Sequence, residues 1–228
     1  MVERGAIIVL EGMVGCGKTT QMKAVTAELQ RQNIDHFYGR EPGGVAVAEK
    51  IRGVLLDPAN RGMNPLAEML LFQAARAEYF SKAVIPKVDA GITVVTDRSY
   101  WSTVAFQGYG FGVDLTQILC YSHDAVFGHH PNLTFVFDVE NVEESARRAR
   151  VASGKAGEAD RFEAEVLAFQ TRVRDGYRAI AASYHEAKNV HLISHHEEES
   201  DIPARIAKIS SEMLTILVPF LEGYDGVN

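Results

Sequence analysis

The chain has 228 residues, enough for one sizeable domain with a full core. Its 30 acidic and 23 basic residues leave a formal net charge of −7. That argues against a general nucleic-acid binder but not against small anionic ligands held by a local cationic cluster.

No run is long and apolar enough to span a bilayer, so no membrane partner is expected. The opening MVERGAIIVLEG has an acidic flank and too short an apolar stretch for a signal peptide, so a cytoplasmic protein is expected. The two cysteines, Cys16 and Cys120, form neither a zinc spacing nor a disulfide framework.

AIIVLEG (6–12) is β-branched and apolar and ends in glycine, which predicts a buried parallel strand. A helix follows from Gly17. HFYGR (36–40) is a short second strand, EPGG a turn, and 45–56 a second helix. Asn64-Pro65 marks a helix start, an N-cap residue before proline at the first helical position. That helix is expected to run to about Val88, with Leu66, Leu70, Ala77, Val84 and Val88 as its core stripe. Phe72, Arg76 and Tyr79 share another face.

GITVVTD (91–97) is a third strand ending in Asp97-Arg98. Helix is expected over 99–107, then a mobile loop marked by Gly108, Gly110 and Gly112. Asp114 caps a helix to about Phe127, and LTFVFDV (133–139) is the fourth strand. VEESARRARVASG is a basic helix end running into a loop of small and charged residues. A long helix over 160–187, a short fifth strand NVHLIS and an amphipathic helix over 201–218 close the chain. Strands alternating with helices predict one parallel sheet covered on both faces, a single domain over 1–228 without repeats or a linker.

Gly12-Met13-Val14-Gly15-Cys16-Gly17-Lys18-Thr19 fits G-x-x-x-x-G-K-[ST] between a strand and a helix. A chain of this length matches that pattern by chance roughly once in a hundred, before the strand and helix are asked for. The glycines let the loop curl its N–H groups onto phosphate oxygens, and the helix adds its positive end. Gly12, Gly15, Cys16, Gly17, Lys18, Thr19 and Thr20 are therefore the candidate ATP-binding residues. Lys18 reaches the β/γ-phosphates, and the Thr19 hydroxyl suits Mg²⁺. A GTPase is disfavoured, since neither Asn-Lys-x-Asp nor Asp-x-x-Gly after a strand is present. Asp97 at a strand end suits a Mg²⁺-bound water, and Arg98 suits a second anion.

REPGG (40–44), LLFQAARAE (70–78), DRSYWSTVAFQGYG (97–110), PNLTFVFDV (131–139) and DRFEAE (160–165) follow the phosphate loop in an order and spacing that resembles the thymidylate kinase family. The resemblance covers about residues 5–195. It implies a P-loop NTPase fold, three-layer α/β/α with a five-stranded parallel sheet ordered 2-3-1-4-5, and a mobile lid over about 147–161. It also implies a homodimer and transfer of the ATP γ-phosphoryl to dTMP, giving dTDP. By the same resemblance Arg40 and Arg98 hold the acceptor phosphate, Phe72 stacks on the base and Arg76 bonds its O4. Phe106 sits under the deoxyribose, Gln107 lines the same pocket, and Asp97 positions Mg²⁺ and the acceptor.

The residues allow blander roles as well: core packing for Phe72, a surface ion pair for Arg40, a structural pair with Asp97 for Arg98. An acceptor phosphate needs no general base, so catalysis rests on alignment and charge neutralisation. In the family it resembles, an arginine of the phosphate loop or the lid meets the transferring group. The loop here has none, so the resemblance implies cations among Arg147, Arg148, Arg150, Lys155 and Arg161, although a solvated basic helix end is the blander reading. Arg150 and Lys155 are the candidates for closing over ATP.

Three positions depart from the family pattern. Val14 stands where relatives usually carry Asp or Glu against the acceptor's 3′-hydroxyl, Ser99 follows Asp-Arg, and Phe111 stands where arginine is common. They leave open a kinase for another nucleoside monophosphate. A non-catalytic nucleotide-binding dimer is the other alternative. His129-His130 and His195-His196 read as surface residues rather than metal ligands.

Overall fold

The computed structural model describes residues 4–152, 167–196 and 199–226. Five parallel strands form one sheet in the order β2-β3-β1-β4-β5. They are β1 (Ile7–Gly12), β2 (His36–Arg40), β3 (Thr93–Asp97), β4 (Leu133–Phe137) and β5 (Val190–Ile193). All of β1 and β4 is buried, as expected of central strands covered by helices on both faces. The register pairs Leu10 with Asp97 and Arg40 with Asp97. The phosphate loop, REPGG and Asp-Arg segments therefore leave the sheet side by side at its carboxyl edge, where α/β folds place their ligands.

The helices are α1 (Lys18–Arg31), α2 (Ala46–Leu56), α3 (Pro65–Tyr79), α4 (Ile85–Asp89), α5 (Tyr100–Thr103), α6 (Leu115–Ala125), α7 (Val142–Ala152), α8 (Leu167–Lys188) and α9 (Ile202–Gly223). The Asn64 side chain accepts from the Leu66 and Ala67 amides and Asp114 accepts from Gln117, so both predicted caps form. A π-helical turn, Phe80–Val84, joins α3 to α4, carrying the helical path to Asp89 much as the sequence predicts.

Two expectations are corrected. Leu66 and Leu70 lie exposed, and α3 instead buries Glu68, Met69, Gln73, Ala75, Arg76 and Tyr79. The covered face of this helix carries polar groups because it backs a cavity. Residues 108–110 do not begin a loop: the helix expected over 99–107 continues through them as π-helical turns, Val104–Gly110, with Gly108 and Gly110 buried. A Cβ on Gly110 would sit 2.6 Å from the Phe169 ring, and one on Gly176 2.7 Å from Tyr109. Glycine here serves the close approach of α8 to these turns.

The last helix runs past the expected end, through Pro219 to Gly223. Of the predicted 160–187 helix, residues 160–166 lie outside the described residues.

Candidate active site

The loop from Gly12 to Lys18 turns through left-handed glycines, with φ of 135° at Gly12, 78° at Gly15 and 95° at Gly17. Side chains are disfavoured at these angles, which accounts for the glycine spacing. The Lys18 ammonium folds back into the loop. Its Nζ donates to the carbonyl oxygens of Gly12 and Met13, both at 3.0 Å, and lies 3.7 Å from Cys16 Sγ. Cys16 is buried, while Thr19 and Thr20 are exposed on the first turn of α1.

Beside the loop lies a cavity of about 220 Å³. Val14 lines it, with Arg40, Glu41 and Pro42 from the REPGG turn, Phe72 from α3, and Asp97 and Arg98 from the end of β3. Ser102, Thr103, Phe106 and Gln107 close another side. Phe72, Arg40, Asp97, Arg98, Phe106 and Gln107 thus come together as the sequence suggests.

Arg40 is half-exposed and pairs with Glu49 at 2.8 Å. Arg98 donates through Nη1 to Ser102 Oγ at 2.9 Å and to the Tyr177 hydroxyl at 3.0 Å, with its guanidinium 5.6 Å from the centre of the Phe106 ring. Gln107 Nε2 donates to the buried Glu68 carboxylate at 2.7 Å.

Arg76 is not part of the lining. It lies fully buried behind the wall, donating to Gln73 Oε1 at 2.6 Å and Thr103 Oγ1 at 3.1 Å. Its Nε is 2.8 Å from Glu41 Oε2. Burial pushes the Glu41 carboxyl up to about 7, against the pull of Arg76, and the Glu11 charge adds to the rise.

Asp97 Oδ1 is buried and accepts no hydrogen bond. A hard divalent cation or its water is the partner such an oxygen suits. Among the described residues no cluster of three or more His, Cys, Asp or Glu forms a dedicated metal cage.

Cations at the other end of the site are divided. Arg147 is exposed and pairs with Glu144 at 2.6 Å. Arg148 approaches His195 Nε2 at 3.2 Å. The side chain of Arg150, together with Lys155 and Arg161, lies outside the described residues. His195 is buried, which corrects its reading as a surface residue, whereas His196 pairs with Glu212 at 2.8 Å.

Several site residues escape sequence reasoning. Glu41 carries the weak signal of an acid next to Arg40 in a turn, and Glu11 that of an acid within an apolar strand. Ser102 lies within the DRSYWSTVAFQGYG stretch without a role implied there, and nothing in the sequence marks Tyr177.

Comparison with known proteins agrees with this geometry. The family model described as thymidylate kinase matches residues 10–206. A thymidylate kinase of Pelotomaculum thermopropionicum is 37% identical over 220 residues, covering 96% of this chain and 98% of its own. One from Citrifermentans bemidjiense is 40% identical over 183 residues, covering 80% and 81% respectively. The crystal structure of thymidylate kinase from Ehrlichia chaffeensis superposes with a TM-score of 0.71 at 29% identity, covering 94% of this chain and 99% of that one. With the family model matched across most of its length and a phosphate loop opening onto a cavity of the expected residues, this chain belongs to the thymidylate kinase family.

Proposed function

We propose that the chain transfers the γ-phosphoryl of ATP to dTMP, giving dTDP, as a single catalytic domain. One observation carries this reading: the phosphate loop itself, through Val14, forms part of the wall of the acceptor cavity. A donor phosphate on the loop and an acceptor phosphate between Arg40 and Arg98 would then meet at one edge of the sheet, the alignment in-line transfer requires.

In this reading Gly12, Gly15, Cys16, Gly17, Thr19 and Thr20 hold ATP through the loop and first helical turn. Lys18 gives up its two carbonyl bonds to reach the phosphates. Phe72 stacks on the base, Phe106 lies under the sugar and Gln107 lines the pocket. Arg76, held by Glu41 and Gln73, acts on the base side of the pocket only through Thr103. Arg150 and Lys155 are assigned to closing over ATP.

Mg²⁺ fits Asp97 and Thr19, because the buried Asp97 Oδ1 has no other partner. When bound it would neutralise charge on the phosphates. A cytoplasmic setting goes with the reading; no helix among the described residues is long and apolar enough to cross a membrane.

We also assign a homodimer to the face of α2, α3 and α6. These helices pack on one another and expose Val47, Val54, Leu66, Leu70, Leu115 and Tyr121. Apolar side chains gathered on neighbouring helices mark an interaction surface.

The test of the activity is a kinase assay with ATP and Mg²⁺ across the common nucleoside monophosphates. dTMP should be the best acceptor, with dTDP as product. Preference for another monophosphate would move the acceptor assignment, and no turnover with any would favour the non-catalytic alternative.

A further inference from the structure

Behind the acceptor cavity lies a cluster whose parts come from β1, α5 and α8. Glu11 is completely buried yet accepts four hydrogen bonds. The amides of Ser99 and Ser102 donate to Oε1 at 2.8 and 3.0 Å, and the hydroxyls of Ser102 and Tyr177 reach Oε2 at 2.6 and 3.0 Å. The two hydroxyls are also 2.9 Å from each other, and both accept from Arg98 Nη1.

Arg98 itself has φ of 74°, a left-handed conformation that costs energy for a residue with a side chain. Such a conformation persists only where its surroundings fix it. Here the Arg98 amide donates to Leu10 O at 2.9 Å, and Glu11 grips the Ser99 and Ser102 amides just beyond it. Burial, reinforced by the Glu11 charge, raises the Tyr177 phenol well above its ordinary value, so it stays a neutral donor at physiological pH. Gly176, packed against Tyr109, lets α8 come close enough for that phenol to reach Arg98.

We propose that Tyr177, anchored on Glu11, is a positioning residue that aims the Arg98 guanidinium at the acceptor phosphate. This rests on the reading of Arg98 as a phosphate holder. α8 thereby contributes to the acceptor site without touching the acceptor. Neither the base nor the sugar should depend on Tyr177.

The experiment compares dTMP with thymidine, which lacks only the phosphate. Dissociation constants for both are measured on the unmodified protein, Arg98→Ala, Tyr177→Phe and the double variant, with a melting curve for each. Tyr177→Phe keeps the ring against Phe106 and removes only the hydroxyl. It should weaken dTMP about five- to tenfold, the scale of one ordinary intramolecular hydrogen bond, because Arg98 keeps its bond to Ser102, and leave thymidine within about twofold. On the Arg98→Ala background it should add nothing.

Equal weakening of both ligands, unchanged dTMP affinity, or full additivity with Arg98→Ala would overturn the positioning role. If Arg98→Ala keeps the original preference for dTMP, the underlying reading of Arg98 fails instead. Should Tyr177→Phe not fold, Tyr177→Met removes the same hydroxyl and is judged by the same outcomes.

Discussion

The Ser145 hydroxyl, fully buried on α7, donates to the carbonyl oxygen of Val14 at 2.6 Å. That bond ties α7 to Val14, the phosphate-loop residue that lines the cavity. A carboxylate at position 14 would offer the acceptor's 3′-hydroxyl a charge-assisted hydrogen bond worth about 1.5–3 kcal/mol; valine offers none. The enzyme is therefore expected to use 3′-deoxy-dTMP with kcat/KM within about tenfold of dTMP. Val14→Asp should widen the gap in favour of dTMP. Rejection of the 3′-deoxy compound by about a hundredfold or more in the unmodified enzyme would mean another group serves the hydroxyl.

Lys18 closes its own loop by bonding Gly12 O and Met13 O. Lys18→Ala should reduce kcat by about a hundredfold or more, since a preorganised cation at the transferring phosphate is lost. Its melting temperature should change little, because Lys18 is no part of the apolar core. A folded variant with wild-type turnover would refute the loop's role.

In the proposed mechanism an arginine or lysine from 147–161 stands in for the arginine that the phosphate loop lacks. An arginine in that role is worth about 10³–10⁵ in rate. Alanine changes at Arg148, Arg150, Lys155 and Arg161 should include at least one kcat loss on this scale. Arg147→Ala should be mild, because Arg147 is exposed and engaged with Glu144. Uniformly small effects, each under about tenfold, would rule out the lid as the source.

Glu41 makes stability fall with rising pH. Its carboxyl in the folded protein is raised to about 7, whereas in the unfolded chain it titrates near 4.5. Between those values the folded state holds a proton that the unfolded state has released. Unfolding free energy contributed by Glu41 is therefore present below about pH 4.5 and lost as pH rises through about 7. The effect is on the order of 1–3 kcal/mol for a fully buried group next to Arg76. Denaturant titrations from pH 5 to 8 should give Glu41→Gln a flatter profile than the unmodified protein. Parallel profiles would show that Arg76 keeps Glu41 ionised throughout.

The α2–α3–α6 face should hold two copies together. Light scattering is expected to give twice the mass calculated for a 25.1 kDa chain. Leu66→Glu with Leu70→Glu should produce monomers that still melt cooperatively, since both side chains are exposed in the single chain. A monomeric unmodified protein would dispose of this interface.

Much of the fold is legible locally. HFYGR is strand β2 to the residue, Asn64 and Asp114 cap their helices as predicted, and the phosphate loop is fixed by its glycine spacing and flanking elements. These features depend on near neighbours along the chain, and so the sequence by itself determined them. The sequence also brought Arg40, Asp97, Arg98, Phe72, Phe106 and Gln107 to one site, through motifs whose order matches a family.

Periodicity determines which residues share a face, not which face is covered. Leu66 and Leu70 keep a helical stripe yet are exposed, because the side of α3 turned inward carries Glu68, Gln73 and Arg76, buried in hydrogen bonds with Gln107, Ser122 and Thr103. Gly108 and Gly110 suggest a loop until Leu115 and Phe169 are seen to press against them. His195 becomes buried only where the loop after β5 meets Arg148. Tyr177 reaches Glu11 across 166 positions of chain, a meeting set by the packing of α8 on the sheet and invisible to any local pattern. The tertiary structure alone decided these placements, because each depends on which distant segment excludes water from which side chain.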